Sequence, residues 1–549
     1  MELITFLLRS SRRMVIGIVL ASLVSGALGA ALIAVVNRTI SSSDRQSLIL
    51  IGAFVVVTVG KIVTQFVSQI ALVHFAQDTM LRLCRTLCEK VLGASFERIE
   101  SLGSPKILAA LTEDVAVLSA AMQAIPGLAT NFAVIAGCSI YLIYLSWQMF
   151  LLSTVLVVIG MLGYRVLNAR AFGAIVAARE GRDRLLGDFR SLIEGLKELK
   201  LHRARRDEFM RLAVDRTTAD LRKQNLRATT QYMIADAWSQ FLFFFLIGAL
   251  LFLGPAIAPM SQETMTGYIF ASLYMMTPVW AVVATVPTFM RGRASLAKIR
   301  DIGANLGEEE KAAPGRVTSG PVRIEFEGVR YEYPAPSADE PGFALGPLDL
   351  SLRSGELVFL TGGNGSGKST LVKLLTGLYT PHAGQVRLNG QVVTATQREH
   401  YREHFTAVFA DFHLFEELFG LDAANNQAEI AEYLALLHMD RKVQVRDGRF
   451  STTKLSTGQR KRLALLTAYL EDRPVYVFDE WAADQDPSYK EIFYRRLLPA
   501  LKQRNKCVIV VTHDDRYFHL GDRIVKLENG QAIEATTSPA ASVEFSPAV

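Results

Sequence analysis

Six runs of roughly twenty apolar residues, all before residue 290, restrict this chain more than any other feature. A run of that length spans the ~30 Å hydrocarbon core of a bilayer as a helix. The backbone inside hydrocarbon must satisfy its own hydrogen bonds, which a helix does within one segment. The runs are Met14–Val36, Leu48–Val73, Gly127–Leu145, Met149–Leu167, Ala237–Leu253 and Thr264–Pro287. Beyond them the apolar residues come in short stretches broken by turns. The 549 residues therefore divide into a membrane half and a soluble half, which reconciles a hydrophobic share of 50% with 20% charged residues.

The first run follows "RSSRRMVIGIV" (Arg9 to Val19), whose paired arginines resemble an export signal. It continues to Val36 with no polar cleavage region, so it reads as a retained first transmembrane helix. The connections after spans one, three and five are short: "NRTISSSDRQS", Ser146-Trp147-Gln148 and "GPAIAPMSQE". The segments after spans two and four, His74–Pro126 and Arg165–Asp236, are long, charged and helical in pattern. Basic residues gather in the N-terminal arginines, in "RARRDEF" (Arg203 to Phe209) and in "RGRASLAKIR" after span six. All fall on one side, so both termini and the soluble half are expected in the cytoplasm. The net charge of +6 then follows from membrane topology and implies no nucleic-acid partner. Cys84, Cys88, Cys138 and Cys507 form no Cys-x-x-Cys and read as small packing residues, not metal ligands or disulfides.

These patterns predict an α-helical six-span transmembrane domain over 1–302, with long cytoplasmic helical extensions. A Gly/Pro/charged linker follows over 303–321, "GANLGEEEKAAPGRVTSGP". Residues 322–535 alternate strand-like and helix-like segments, the pattern of an α/β domain. Residues 536–549, "TTSPAASVEFSPAV", have the composition of a flexible tail.

Within the α/β half, "LVFLTGGNGSGKSTLVKLL" places a strand before a glycine-rich turn and a helix after it. Backbone N–H groups of Gly362, Gly363, Asn364, Gly365, Ser366 and Gly367 can curl around the phosphates of ATP. Lys368 adds a point charge, the Ser369 hydroxyl a magnesium ligand, and Thr370 continues the helix whose N-terminal dipole favours anions. A second strand ends in "VYVFDEWAADQDP", Val475 to Pro487. A merely capped turn would explain one carboxylate but not a pair beside a phosphate loop. Asp479 is expected to orient Mg2+ through water, and Glu480 to act as base or positioner for the attacking water. His513, after the β-branched run "VIVVTHDD", is the second catalytic candidate.

Between these motifs lies "KLSTGQRKRLALLTAYL", Lys454 to Leu470, which an ATPase does not need for its own nucleotide. It resembles the ABC signature Leu-Ser-Gly-Gly-Gln, with Thr457 at the third position. The chain is similar to ABC exporter half-transporters over nearly its whole length. That resemblance implies a homodimer in which Ser456, Gly458 and Gln459 of one subunit close on ATP held by the other's Lys368 loop. It further implies that Tyr333 in "VRYEYP" stacks on adenine, with Tyr331 left to strand packing. It gives His513 contact with the γ-phosphate and makes Asp486 part of the loop coupling two ATP sites.

Two departures stand out. In "TAVFADFHLFEE" Ala410 occupies the position where the family has a glutamine that touches magnesium and water, leaving water, Asp411 or His413 to fill that role. "RDGRFSTTK", before the signature, lacks the usual acidic-Gly pattern. Together with "DFHLFEE", "LSTGQRKRLAL" and "DEWAADQDP", these features resemble the exporters of cyclic peptides and siderophore peptides, closest to those of pyoverdine precursors. "EGLKELKLHRARRDEF", Glu194 to Phe209, resembles that subfamily's second cytoplasmic excursion with its coupling helix. The implied cargo is a peptide or siderophore precursor, moved across the bacterial inner membrane among membrane lipids. No cysteine-peptidase segment is expected before the first span, so leader cleavage is not part of the reading.

The spans themselves offer one cargo candidate. Thr58, Lys61, Gln65, Ser68 and Gln69 share one face of the second helix. A lysine at mid-membrane costs ~2.5–3.5 kcal/mol and faces a bundle interior or a wet cavity. Lys61 and Gln65 are therefore candidates for meeting an anionic part of the cargo, against the alternative that Lys61 pairs with a neighbouring helix or snorkels to the membrane surface. Two rival functions remain: a lipid or lipid-linked-precursor flippase, and a membrane-anchored ATPase serving as scaffold. Trp481 acquires no role from sequence.

Overall fold

The computed structural model describes residues 12–41, 48–253, 261–307, 320–334, 342–422 and 426–536. Most of the expected linker (308–319), nearly all of the tail (537–549) and parts of two outer connections (42–47 and 254–260) lie outside the described residues. The chain forms two units, residues 1–86 with 108–301 and residues 87–107 with 302–549.

The first unit is helical. Its principal helices are α1 (Arg12–Ser41), α2 (Leu48–Leu92), α3 (Ile125–Leu145), α4 (Trp147–Glu194), α5 (Arg216–Phe252) and α6 (Gln262–Leu306). Six helical stretches among the described residues are long and apolar enough to cross a membrane, and each overlaps one of the six apolar runs. With 45 residues, α2 is about 68 Å long at ~1.5 Å per residue, roughly twice the hydrocarbon thickness, so it must continue well beyond a bilayer. The only break between α3 and α4 is Ser146, in extended conformation. The buried Tyr268 hydroxyl donates to the carbonyls of Leu142 (2.7 Å) and Ser146, tying this corner to α6.

Small residues bring α1 and α3 together: a Cβ on Gly26 would lie 2.2 Å from that of Ala133. Polar groups join the C-terminal end of α1 to its neighbours. Asn37 donates to the Tyr141 hydroxyl (2.9 Å) and accepts from Thr266 (2.9 Å), joining α1, α3 and α6. These partners explain why α1 continues to Ser41, through residues whose polarity suggested a loop after Val36.

The second unit contains two main sheets. β1 (Arg323–Glu332), β2 (Ala344–Arg353), β4 (Ala383–Leu388) and β5 (Gln391–Val392) form an antiparallel sheet in the order β2-β1-β4-β5. β3 (Leu357–Gly362), β6 (Phe405–Val408), β9 (Val475–Asp479), β10 (Cys507–Val511), β11 (Arg523–Glu528) and β12 (Gln531–Thr536) form the other, ordered β12-β11-β3-β10-β9-β6. All pairings in this second sheet are parallel except β11 with β12. A further small ladder joins β7 (Val445–Arg446) to β8 (Arg449–Phe450). β9 and β10 are buried along their whole length, the reason their sequences are continuous apolar runs. Helices α7 (Lys368–Leu375) and α8 (Thr457–Glu471) carry the phosphate-loop and signature motifs.

The short helix Phe96–Leu102, following α2, belongs to this second unit. Glu97 accepts from the Tyr331 hydroxyl at 2.8 Å, and Glu100 accepts from Lys373 at 2.8 Å and from Tyr379. Arg98 donates to the carbonyl of Leu306 at 3.2 Å.

Candidate functional site

Strand order places the candidate catalytic groups on one edge. β3, β10 and β9 are adjacent and parallel, so the Gly362–Lys368 turn, His513 and the Asp479–Glu480 pair all emerge at their C-terminal ends. That edge is where open α/β sheets bind ligands.

The turn after β3 depends on its glycines. Gly362 has φ 151° and Gly367 φ 104°, and a Cβ on Gly362 would lie 2.4 Å from the carbonyl of Leu527. Gly363, Asn364 and Gly365 are exposed along the turn, and Ser369 is exposed in the first turn of α7. Lys368 is buried, with its ammonium donating to the carbonyls of Gly362 (2.8 Å) and Gly363 (3.0 Å). The Ser366 hydroxyl is buried without a hydrogen-bond partner. A loop with an unspent hydroxyl, exposed amides and a lysine folded back on its own carbonyls is built to receive phosphate oxygens.

Asp479 is buried at the end of β9. Burial pushes its carboxyl above the usual carboxylate range, the neighbouring charge of Glu480 adds to this, and Asp411 adds further. The Ala410 N–H and the Lys368 ammonium work in the opposite direction. A carboxylate and a hydroxyl are hard oxygen donors of the kind Mg2+ takes, with water and phosphate oxygens completing the shell, and among the described residues no cluster of three or more His, Cys, Asp or Glu side chains could hold a metal. Asp479 and Ser369 would hold Mg2+, which when bound neutralises phosphate charge. Ala410 thus contributes a backbone N–H to Asp479 at the position of the expected glutamine. Asp411 lies in the electrostatic neighbourhood of Asp479, whereas His413 packs edge-on against Phe415 at 4.8 Å.

Glu480 adopts a left-handed conformation (φ 50°, ψ 33°). Its carboxylate lies 3.4 Å from Nε2 of His513, and its N–H donates to Val511 at 3.1 Å. The two catalytic candidates, 33 residues apart in sequence, are therefore direct neighbours.

The signature turn is a helix cap. Ser456 caps α8 in a reciprocal box: its hydroxyl accepts from the Gln459 N–H (3.4 Å), and the Gln459 amide oxygen accepts from the Ser456 N–H (3.3 Å). Gln459 thereby has a clear structural task, beside the nucleotide contact expected of it. Gly458 admits the loop after β9, since a Cβ there would lie 2.6 Å from the carbonyl of Asp484. Asp486 is largely exposed, 3.5 Å from Arg462, whose guanidinium also lies 3.2 Å over the Tyr489 ring.

Trp481 is buried in its own chain. Its ring stacks on Phe493 at 4.3 Å, and its indole N–H donates to the carbonyl of Lys461 at 2.7 Å. Lys461, Arg462, Glu97, Glu100 and Tyr379 were not legible as site residues. Only the unusual run of three basic residues, Arg460 to Arg462, hinted at the first two.

Tyr333 lies just beyond β1, its hydroxyl 3.3 Å from those of Thr370 and Tyr379. Tyr331 sits behind it, 5.1 Å away edge-on, and stacks on His382 at 4.6 Å, which matches its reading as packing. Burial works against ionisation of Glu100, yet hydrogen bonds from Lys373 and Tyr379 hold its pKa below the usual value.

In the membrane unit the Lys61 ammonium donates to the Tyr274 hydroxyl at 2.6 Å and lies 5.0 Å from that ring's centre. Ser68, on the same face, bonds Ser22 of α1 at 3.1 Å. Gln65 is half-buried between them in sequence. The polar face of α2 therefore meets α1 and α6, the arrangement held open as the alternative to cargo contact.

A phosphate-binding turn, an Asp-Glu pair and a histidine on the edge of a parallel sheet define an ATP-hydrolysing nucleotide-binding domain. Residues 345–483 match the family described as ABC transporter, and residues 13–282 match the ABC transporter transmembrane region. The chain is 37% identical to ATP-binding protein SyrD of Pseudomonas syringae pv. syringae, over 93% of this chain and 92% of that one. It is 25% identical to the ATP-dependent lipid A-core flippase of Polaromonas sp., over 86% and 81% of the two chains. Its fold resembles a bacterial Atm1-family ABC exporter with ATP bound, with a TM-score of 0.72 at 16% identity, over 95% and 94% of the chains. The chain belongs to the ABC transporters, as an exporter half-transporter with an ATPase domain.

Proposed function

We propose that two copies of this chain use ATP to export a small cyclic or nonribosomal peptide, a siderophore precursor of the pyoverdine type, from cytoplasm to periplasm across the bacterial inner membrane. The observation that carries the transport reading is the Glu480–His513 pair, 3.4 Å apart beside the Lys368 turn, in a chain whose described residues include six helices long and apolar enough to cross a membrane. That pair argues against an inert ATPase scaffold. The peptide reading rests on the motif cluster "LSTGQRKRLAL" and "DEWAADQDP" with Ala410. Greater similarity to SyrD than to the lipid A-core flippases supports a cargo other than that lipid. Flippase-type activity stays the second reading because those relatives match most of the chain.

The mechanism is differential affinity: ATP favours whichever arrangement of the two nucleotide-binding domains gives it more contacts. Closure adds Ser456 and Gly458 of one copy to phosphates held by Lys368 of the other, with Tyr333 on the adenine. Glu480 takes a proton from the attacking water, His513 steadies the γ-phosphate, and hydrolysis removes the preference for the closed form. On this reading Asp486 belongs to the loop that couples one ATP site to the other.

Purified protein in lipid nanodiscs tests the cargo. An acylated peptide siderophore precursor is expected to stimulate ATP hydrolysis several-fold, with lipid A-core inert; stimulation by lipid A-core alone would transfer the reading to a flippase. Lys61→Ala is expected to raise the concentration of acidic peptide needed for half-stimulation by about fivefold or more. An unchanged half-stimulating concentration would assign Lys61 to helix packing through Tyr274.

A further inference from the structure

We propose that Lys461 is a positioning residue for ATP hydrolysis, holding the backbone of Glu480 in its catalytic conformation from the signature helix of the same chain. Lys461 is 3% exposed, a burial that a lysine adopts only with its charge well partnered. Its ammonium donates to the carbonyl of Glu480 at 2.8 Å and pairs with the Asp484 carboxylate at 2.8 Å. Its own carbonyl accepts the indole N–H of Trp481 at 2.7 Å. One residue of α8 thus holds three residues of the catalytic loop, at 480, 481 and 484.

The loop needs holding. Glu480 is a non-glycine residue at φ 50°, a conformation that persists only where its surroundings impose it. The Glu480 N–H is fixed to β10 through Val511, and its carbonyl is fixed to α8 through Lys461. With both ends of the residue held, the carboxylate is directed to the edge where His513 lies. Trp481, stacked on Phe493, stops the next residue from relaxing the turn. Beyond it, the Gln485 amide accepts from Arg462 (3.0 Å) and donates to Gly458 (2.9 Å), so loop and signature turn are continuously bonded. Displacement of the turn at Ser456 or Gly458 therefore reaches Glu480 through Lys461, without passing through the β6 loop that carries Ala410.

The test separates positioning from folding and from nucleotide binding. In the full-length protein, Lys461→Met keeps the volume and apolar stem but removes every hydrogen bond of the ammonium. Its kcat for ATP is expected to fall about tenfold or more, while the Kd of a fluorescent ATP analogue stays within twofold. Lys461→Arg keeps a positively charged donor for the Glu480 carbonyl and is expected to retain at least about threefold more kcat than Lys461→Met. Three results would overturn the proposal: an unaltered kcat in Lys461→Met, a parallel loss of kcat and nucleotide affinity, or a Lys461→Arg defect as deep as that of Lys461→Met.

Discussion

Glu480→Gln is expected to lower ATP turnover by about 100-fold or more while leaving the protein able to bind ATP. The amide has nearly the same shape as the carboxylate but cannot take a proton from the attacking water, and general-base contributions run to about 10²–10⁴-fold. The surroundings of Glu480 give reason to expect little else to change. Its fixed groups are the backbone N–H and carbonyl, bonded to Val511 and Lys461, and neither is touched by the substitution. If ATP stabilises a closed pair of domains that hydrolysis normally releases, the variant should also retain ATP through rapid gel filtration. Retention as low as in the wild type would count against that cycle.

Lys368→Ala is expected to weaken ATP binding by about tenfold or more, the range set by ~1.5–3 kcal/mol for a hydrogen bond to a charged group. Lys368 is buried, and its ammonium currently rests on two carbonyls of its own turn, a position from which phosphate oxygens can recruit it. It is also a cation whose charge favours ionised Asp479, so its loss removes support from two groups of the site. Equilibrium titration with a fluorescent ATP analogue measures the effect. A Kd within twofold of the wild type would show that the backbone amides of the turn suffice for affinity.

Much of this architecture is legible in the sequence because it rests on local constraints. A twenty-residue apolar run has few alternatives to a membrane helix, and strand, glycine turn and Lys-Ser-Thr fix the phosphate loop within one stretch of chain. Residues whose role comes from distant partners were opaque. Asn37 reads as a loop residue until Tyr141 and Thr266 supply its hydrogen bonds. Glu97 and Glu100 look like surface charge on a cytoplasmic helix, yet they meet Tyr331, Lys373 and Tyr379 more than 230 residues later. Lys461 carries a charge that normally signals solvent, and its burial depends on the Glu480 carbonyl and the Asp484 carboxylate in the loop after β9. Trp481 lacked a role for the same reason, since Phe493 and the carbonyl of Lys461 give it one.

ATP-dependent uptake of an acylated peptide siderophore precursor into inside-out membrane vesicles tests ATP-driven peptide export most directly. Vesicles carrying the wild type should accumulate the peptide when supplied with ATP, and vesicles carrying Glu480→Gln should not. Equal accumulation by the two, or none by the wild type while it hydrolyses ATP, would contradict ATP-driven export of that cargo.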